Sequence, residues 1–121
     1  MKILICDDDP MTLRTLEFQL KRDGFDIIKT FNGREASKIL DETDDIDLLI
    51  VDLFMPVMTG LELVTYVRTN LHLDIPIIVV SRVNVDDSVK QAFDLGANEY
   101  ITKPFDLEDI SNKVKNALNN K

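Results

Sequence analysis

Residues 46–60 read IDLLIVDLFMPVMTG, and the fold turns on how this stretch is understood. Leu48–Val51 is apolar on both faces, as a central parallel strand covered by helices must be. Asp52 follows at once. A carboxylate carried into a core without a partner costs several kcal/mol. Asp52 therefore requires a partner, a cation or a chemical task.

Strand-like and helix-like stretches alternate five times around it. Strands are predicted at residues 2–6, 26–30, 46–51, 75–80 and 99–102. Apolar residues recur at helical spacing between them: Leu13, Leu16 and Leu20; Ala36, Ile39 and Leu40; Leu61, Val64, Val67 and Leu71; Val89, Ala92 and Phe93; Leu107, Ile110, Val114 and Leu118. Thr59 with Glu62 reads as a capping box, and Asn32 with Glu35 and Asp106 with Asp109 place acids in first turns. Gly24 and Gly96 stand where helices should end. Five such units with short connections imply an α/β domain, a parallel sheet with helices on both faces and right-handed crossovers.

The composition fits one globular domain over residues 1–121, with 45% hydrophobic and 30% charged residues. No run approaches the roughly 20 apolar residues of a membrane span, and nothing resembles a signal peptide. A net charge of −8 argues against nucleic-acid or anionic-membrane binding by this domain. The single cysteine, Cys6, reads as a buried hydrophobe that cannot form an internal disulfide, which fits a cytoplasmic protein.

In a parallel sheet the functional crevice lies beyond the carboxyl ends of the strands. Those ends deliver Asp7, Asp8 and Asp9 after the first strand, Asp52 after the third, Ser81 after the fourth and Lys103 after the fifth. Two like charges about 4 Å apart repel by roughly 4 kcal/mol at an effective dielectric of 20, so clustered acids need a shared proton or a cation. Oxygen ligands in an open notch suit Mg²⁺, with Mn²⁺ as a substitute. Lys103 adds a point charge for an anion, and the Ser81 hydroxyl adds a hydrogen bond. Together they form a set able to place a phosphoryl group on Asp52.

ILICDDDP, LLIVDLFMPVMTG, IIVVS and GANEYITKPF, in this order and spacing, resemble the receiver domain of two-component response regulators from about Lys2 to Leu118. The resemblance implies a flavodoxin-like (βα)5 sandwich with strand order 2-1-3-4-5, which takes phosphate from a histidine kinase or phosphotransfer protein. By position it makes Asp52 the phospho-acceptor and Lys103 the phosphate-binding lysine. Asp8 becomes the direct Mg²⁺ ligand, Asp7 a ligand through water, and the Phe54 carbonyl a further one. Ser81 and Tyr100 become the switch pair, and the Lys103–Pro104 bond is expected to be cis. Asp9 falls outside the acid pair and reads as a helix N-cap ahead of Pro10. Met55, Pro56 and Gly60 fit the turn that aims the Phe54 carbonyl inward. The output face implied is that of the fourth helix, fifth strand and fifth helix, around Val85, Lys90, Tyr100 and Lys113. It would contact an output domain, a target protein or, on phosphorylation, a second copy, although Asn98 stands where dimerising relatives commonly carry an acid.

Arg82 follows the switch hydroxyl where the family usually has a small residue. It either points into solvent or folds over the pocket. Phe54 and Val83 are apolar where relatives vary, which implies slow loss of phosphate for want of groups to orient water. Rival readings are a haloacid-dehalogenase phosphatase, a flavodoxin and a receiver-like docking module that works without phosphorylation. The phosphatase needs an acid where Phe54 stands, and carboxylates in DDDP would repel a flavin phosphate. His72 reads as a surface residue.

Overall fold

The computed structural model describes residues 1–119. Five strands alternate with five helices: β1 Lys2–Cys6, α1 Pro10–Arg22, β2 Asp26–Thr30, α2 Gly33–Glu42, β3 Leu48–Val51, α3 Gly60–Thr65, β4 Ile77–Ser81, α4 Asp86–Leu95, β5 Glu99–Thr102 and α5 Leu107–Asn119. The sheet is parallel throughout, in the order β2-β1-β3-β4-β5. This is the doubly wound, flavodoxin-like arrangement expected from the alternation and the resemblance.

Alternate residues of each central strand feed two cores. Leu4, Leu49, Val51 and Val79 pack with Leu40 of α2, Leu63 of α3 and Val67 just beyond it. Ile3, Ile5, Ile50 and Val80 pack with Leu16, Ile110 and Val114 of α1 and α5. Burial of each large aliphatic side chain contributes roughly 1.5–3 kcal/mol. β1, β3 and β4, which lead into the site, are thus buried over almost their whole length.

Caps fix the helix starts. Asp9 accepts from the Met11 amide (3.1 Å) and the Thr12 hydroxyl (2.9 Å), as its N-cap role requires. Asn32 caps α2 through the Glu35 amide, and Thr59 with Glu62 forms the full capping box. Gly24 and Gly96 have φ of +95° and +124°, the left-handed region that other residues rarely adopt.

Four boundaries differ from the sequence expectation. β3 begins at Leu48 because the backbone and carboxylate of Asp47 are taken up by the Lys2 backbone (2.8 Å each). β4 begins at Ile77 because Pro76 has no amide to donate, and it ends on Ser81, which belongs to the strand. The third helix stays regular only to Thr65. A π-helical turn, Tyr66–Asn70, follows, closed by the Leu71 amide on the Tyr66 carbonyl (3.1 Å), and Leu71 falls outside it. α4 was expected to bury Val89, Ala92 and Phe93, but only Ala92 is buried and Phe93 is 43% exposed. α4 is therefore the helix least anchored by its own side chains. His72 is exposed with φ +53°, as a surface residue.

Candidate functional site

β1 and β3 end side by side, because Cys6 pairs with Val51 in register. The Asp52 amide donates to the Cys6 carbonyl (3.0 Å), which sets the acid next to Asp7. Each of Asp7, Asp8 and Asp52 offers a carboxylate oxygen within 4.8 Å of the others. Asp7 and Asp52 are buried and Asp8 is exposed. β5 brings in Lys103, whose amide donates to the Ser81 carbonyl (2.8 Å). Its Nζ stands 2.8 Å from Asp7 Oδ2 and 3.6 Å from Asp52 Oδ2. The next peptide bond, Lys103–Pro104, is cis.

The β3–α3 connection is held by a close approach. The Gly60 amide donates to the Leu53 carbonyl (2.9 Å), and a methyl group at Gly60 would overlap the Asp52 carbonyl oxygen. Gly60 is thus needed for contact with the acceptor's own backbone. The bend itself lies at Val57, where φ is +73° and the Met58 amide donates to the Pro56 carbonyl (2.8 Å), an unusual conformation for a β-branched residue.

Burial, reinforced by the neighbouring charge of Asp7, raises the Asp52 pKa to about 6, against the pull of Lys103 and a hydrogen bond from the Phe54 amide. The side chain is still mainly ionised at pH 7. Its neighbours leave it short of positive charge, and three converging hard oxygen donors match what Mg²⁺ selects. These residues fit a divalent ion.

A notch of about 310 Å³ opens over Asp52, lined by Asp8, Asp9, Phe54, Arg82 and Lys103. Arg82 is exposed yet borders the notch, so the solvent-facing and pocket-facing alternatives are both partly realised. Asp9 adds a lining role to its capping one. The third consecutive acid in DDDP was the available signal for that. Asp7 and Ser81 are buried and do not line the notch.

Ser81 and Tyr100 meet at Val83. The Val83 amide donates to Ser81 Oγ (3.2 Å), and the Tyr100 hydroxyl donates to the Val83 carbonyl. Both residues singled out for the switch thus grip the short loop that leads into α4. Phe54 is exposed and lines the notch, and Val57 is exposed three residues on. Cys6 is buried, its thiol directed at Met55 Sδ (3.3 Å) and its pKa pushed up to about 12 by burial, so it is inert.

The family model of the response regulator receiver domain matches residues 3–115. The chemotaxis protein CheY homologue of Campylobacter jejuni is 37% identical over 120 residues, 98% of this chain and 92% of its own. Transcriptional regulatory protein CrdR of Helicobacter pylori is 30% identical over 118 residues, 98% of this chain but 55% of its own. The chain spans about half the length of the transcriptional regulators it matches. A two-component response regulator from Clostridium difficile superposes with a TM-score of 0.92 at 29% identity, covering 98% of this chain and 96% of that one. Response regulator TrrA of Thermotoga maritima, solved in complex with Mg²⁺ and BeF, does so with a TM-score of 0.86 at 32% identity, covering 97% and 98%. By sequence and by fold, the chain belongs to the response regulator receiver domain family.

Proposed function

We propose that residues 1–121 form a cytoplasmic receiver domain that takes a phosphoryl group onto Asp52 from the phosphohistidine of a sensor kinase or phosphotransfer protein. The observation that carries this reading is Lys103 Nζ set between Asp7 and Asp52 while three carboxylates converge beside it. In the transfer an Asp52 carboxylate oxygen attacks phosphorus, the O–P bond forms, the P–N bond breaks, and its electron pair leaves on the imidazole.

Asp8 would ligate Mg²⁺ directly, Asp7 through water, with Asp52 and the Phe54 carbonyl completing the protein's share; Mn²⁺ would fit the same oxygens. Bound there, the ion supplies neutralising charge to the phosphoryl oxygens. Lys103 is already 3.6 Å from Asp52 and needs only a small shift to bind the phosphoryl group. Arg82, at the mouth, supplies a second cation and covers the group, while Phe54 denies water a polar partner; Val83 is not among the residues that line the notch. Addition of about −2 charge draws the Ser81 hydroxyl, releasing Val83 and with it Tyr100, so the α4–β5–α5 face changes. That face would engage an output domain, a target protein or a second copy.

The test is incubation with Mg²⁺ and a small phosphodonor followed by intact mass measurement. One phosphoryl adduct in the wild type, lost in Asp52→Asn, is expected. No adduct would leave the domain as a docking module.

A further inference from the structure

We propose that Asn32–Gly33, at the start of α2, is a site of spontaneous deamidation whose rate is set by opening of that helix's first turn. The inference stands apart from the phospho-acceptor reading and uses none of its residues.

Asn32 and Gly33 form the one Asn–Gly step in the sequence. Two separate requirements of the fold put it there. Asn32 caps α2: its side-chain oxygen accepts from the Glu35 amide (2.9 Å). Gly33 lies against the β3–α3 connection, where a Cβ would stand 2.7 Å from both the Cβ and the carbonyl oxygen of Met58. A capping amide and a residue without a side chain are each demanded, and side by side they are prone to ring closure.

The chemistry needs only water. The Gly33 nitrogen, unshielded by any side chain of its own, gives up its proton and attacks Asn32 Cγ. The N–Cγ bond forms, the Cγ–Nδ2 bond breaks, and ammonia leaves with the proton. Water then opens the five-membered imide at either carbonyl, giving aspartate or isoaspartate. As the first residue of α2, Gly33 has no partner within the helix for its amide. Asn32 is half-buried, so water reaches it.

The folded chain opposes closure. The Asn32 oxygen is held to the Glu35 amide, and the backbone is extended (φ −154°, ψ 168°), whereas the imide ring is nearly planar. The cap bond must open before the nitrogen can reach Cγ. Just ahead of it, the Phe31 amide donates to Glu35 Oε1 (2.7 Å), which resists that opening. The two products differ in effect. Aspartate still caps the helix and adds charge that favours its N-terminus. Isoaspartate adds a methylene to the main chain beside Met58, where not even a Cβ fits, and so displaces the start of α2.

The test is to age the full chain in mildly alkaline buffer, folded and in guanidinium chloride, and to quantify aspartate and isoaspartate in the tryptic peptide Thr30–Arg34. Both products are expected in the folded chain, about tenfold more slowly than in denaturant, and neither in Asn32→Ser, which keeps a capping oxygen. Glu35→Ala leaves the backbone cap bond but frees the Phe31 amide. It is expected to speed the folded reaction about threefold and to leave the denatured rate unchanged. A folded chain with no conversion at Asn32 by the time the denatured sample is fully converted would overturn the site. Equal rates folded and denatured, or a folded Glu35→Ala chain no faster than wild type, would overturn the gate.

Discussion

Lys103 Nζ is closer to Asp7 (2.8 Å) than to Asp52 (3.6 Å), although both carboxylates are buried. The lysine neutralises the pair unequally. At Asp52 burial and the charge of Asp7 outweigh the more distant lysine, and its pKa is raised to about 6.

Replacing Asp52 by Asn should therefore stabilise the metal-free protein. A carboxyl whose pKa rises from an ordinary 3.8 to about 6 on folding binds its proton more tightly in the folded state. Its contribution to stability is greatest below pH 4, falls as pH rises toward 6, and is unfavourable above that. Asp52→Asn is expected to gain about 1–3 kcal/mol at pH 7.5 and almost nothing at pH 4. Urea unfolding at the two pH values checks this, and equal gains at both would contradict it.

Magnesium should reverse that imbalance of charge. At a hundredfold excess over its Kd, an ion that binds only the folded chain adds about 2.7 kcal/mol. The gain is expected above pH 6, to be removed by a chelator and to be absent in Asp8→Asn. Thermal unfolding with and without Mg²⁺ reads it directly; an undiminished gain in Asp8→Asn would remove that residue from the ligand set.

Loss of phosphate should be slow, and Arg82 should be one reason. A charge-assisted hydrogen bond lost from the phosphoryl group is a tenfold effect for each 1.4 kcal/mol, so Arg82→Ala is expected to shorten the phosphoaspartate lifetime about tenfold. Phe54→Asn, which gives water a polar partner, should act in the same direction. Lifetimes are measured by mass after donor removal, and unchanged values would confine Arg82 to solvent.

Tyr100→Phe isolates one half of the grip on Val83. Loss of the hydroxyl leaves the Val83 carbonyl without this donor, at a cost of about 0.5–1.5 kcal/mol. Hydrogen exchange of residues 82–88 should then differ less between Mg²⁺ alone and Mg²⁺ with beryllofluoride than it does in the wild type. An identical response would free Tyr100 of any switching role.

Arg68 is a structural pin outside the site. Its guanidinium bonds the Gly96 carbonyl twice (3.1 and 2.9 Å), the Leu73 carbonyl (2.7 Å) and the Asn98 side chain (2.9 Å). Asn98 in turn accepts from the Ile77 amide (2.8 Å), so the residue noted for its missing charge anchors β4 and β5. Arg68→Met is expected to cost about 2–3 kcal/mol in denaturant unfolding, and Arg68→Lys nearly as much, since an ammonium cannot span those carbonyls.

The sequence alone determined the architecture. The doubly apolar LLIV and IIVV, the helical stripes and the caps are local signals, each readable within a dozen residues because periodicity and hydrogen-bond geometry are local. It also placed Asp7, Asp8, Asp52 and Lys103 at one sheet edge, because the carboxyl ends of parallel strands share that edge. Only the tertiary structure decided which acid holds the lysine, that Gly60 serves the Asp52 backbone, that α4 is scarcely buried, and that Arg68 ties down its far end. Those are matters of distance between residues remote in sequence, and α4 carries a helical stripe whether or not anything covers it. The Arg82 rim follows the same rule: its charge is legible at position 82, and its reach over the notch exists only once β1, β3 and β5 stand beside it.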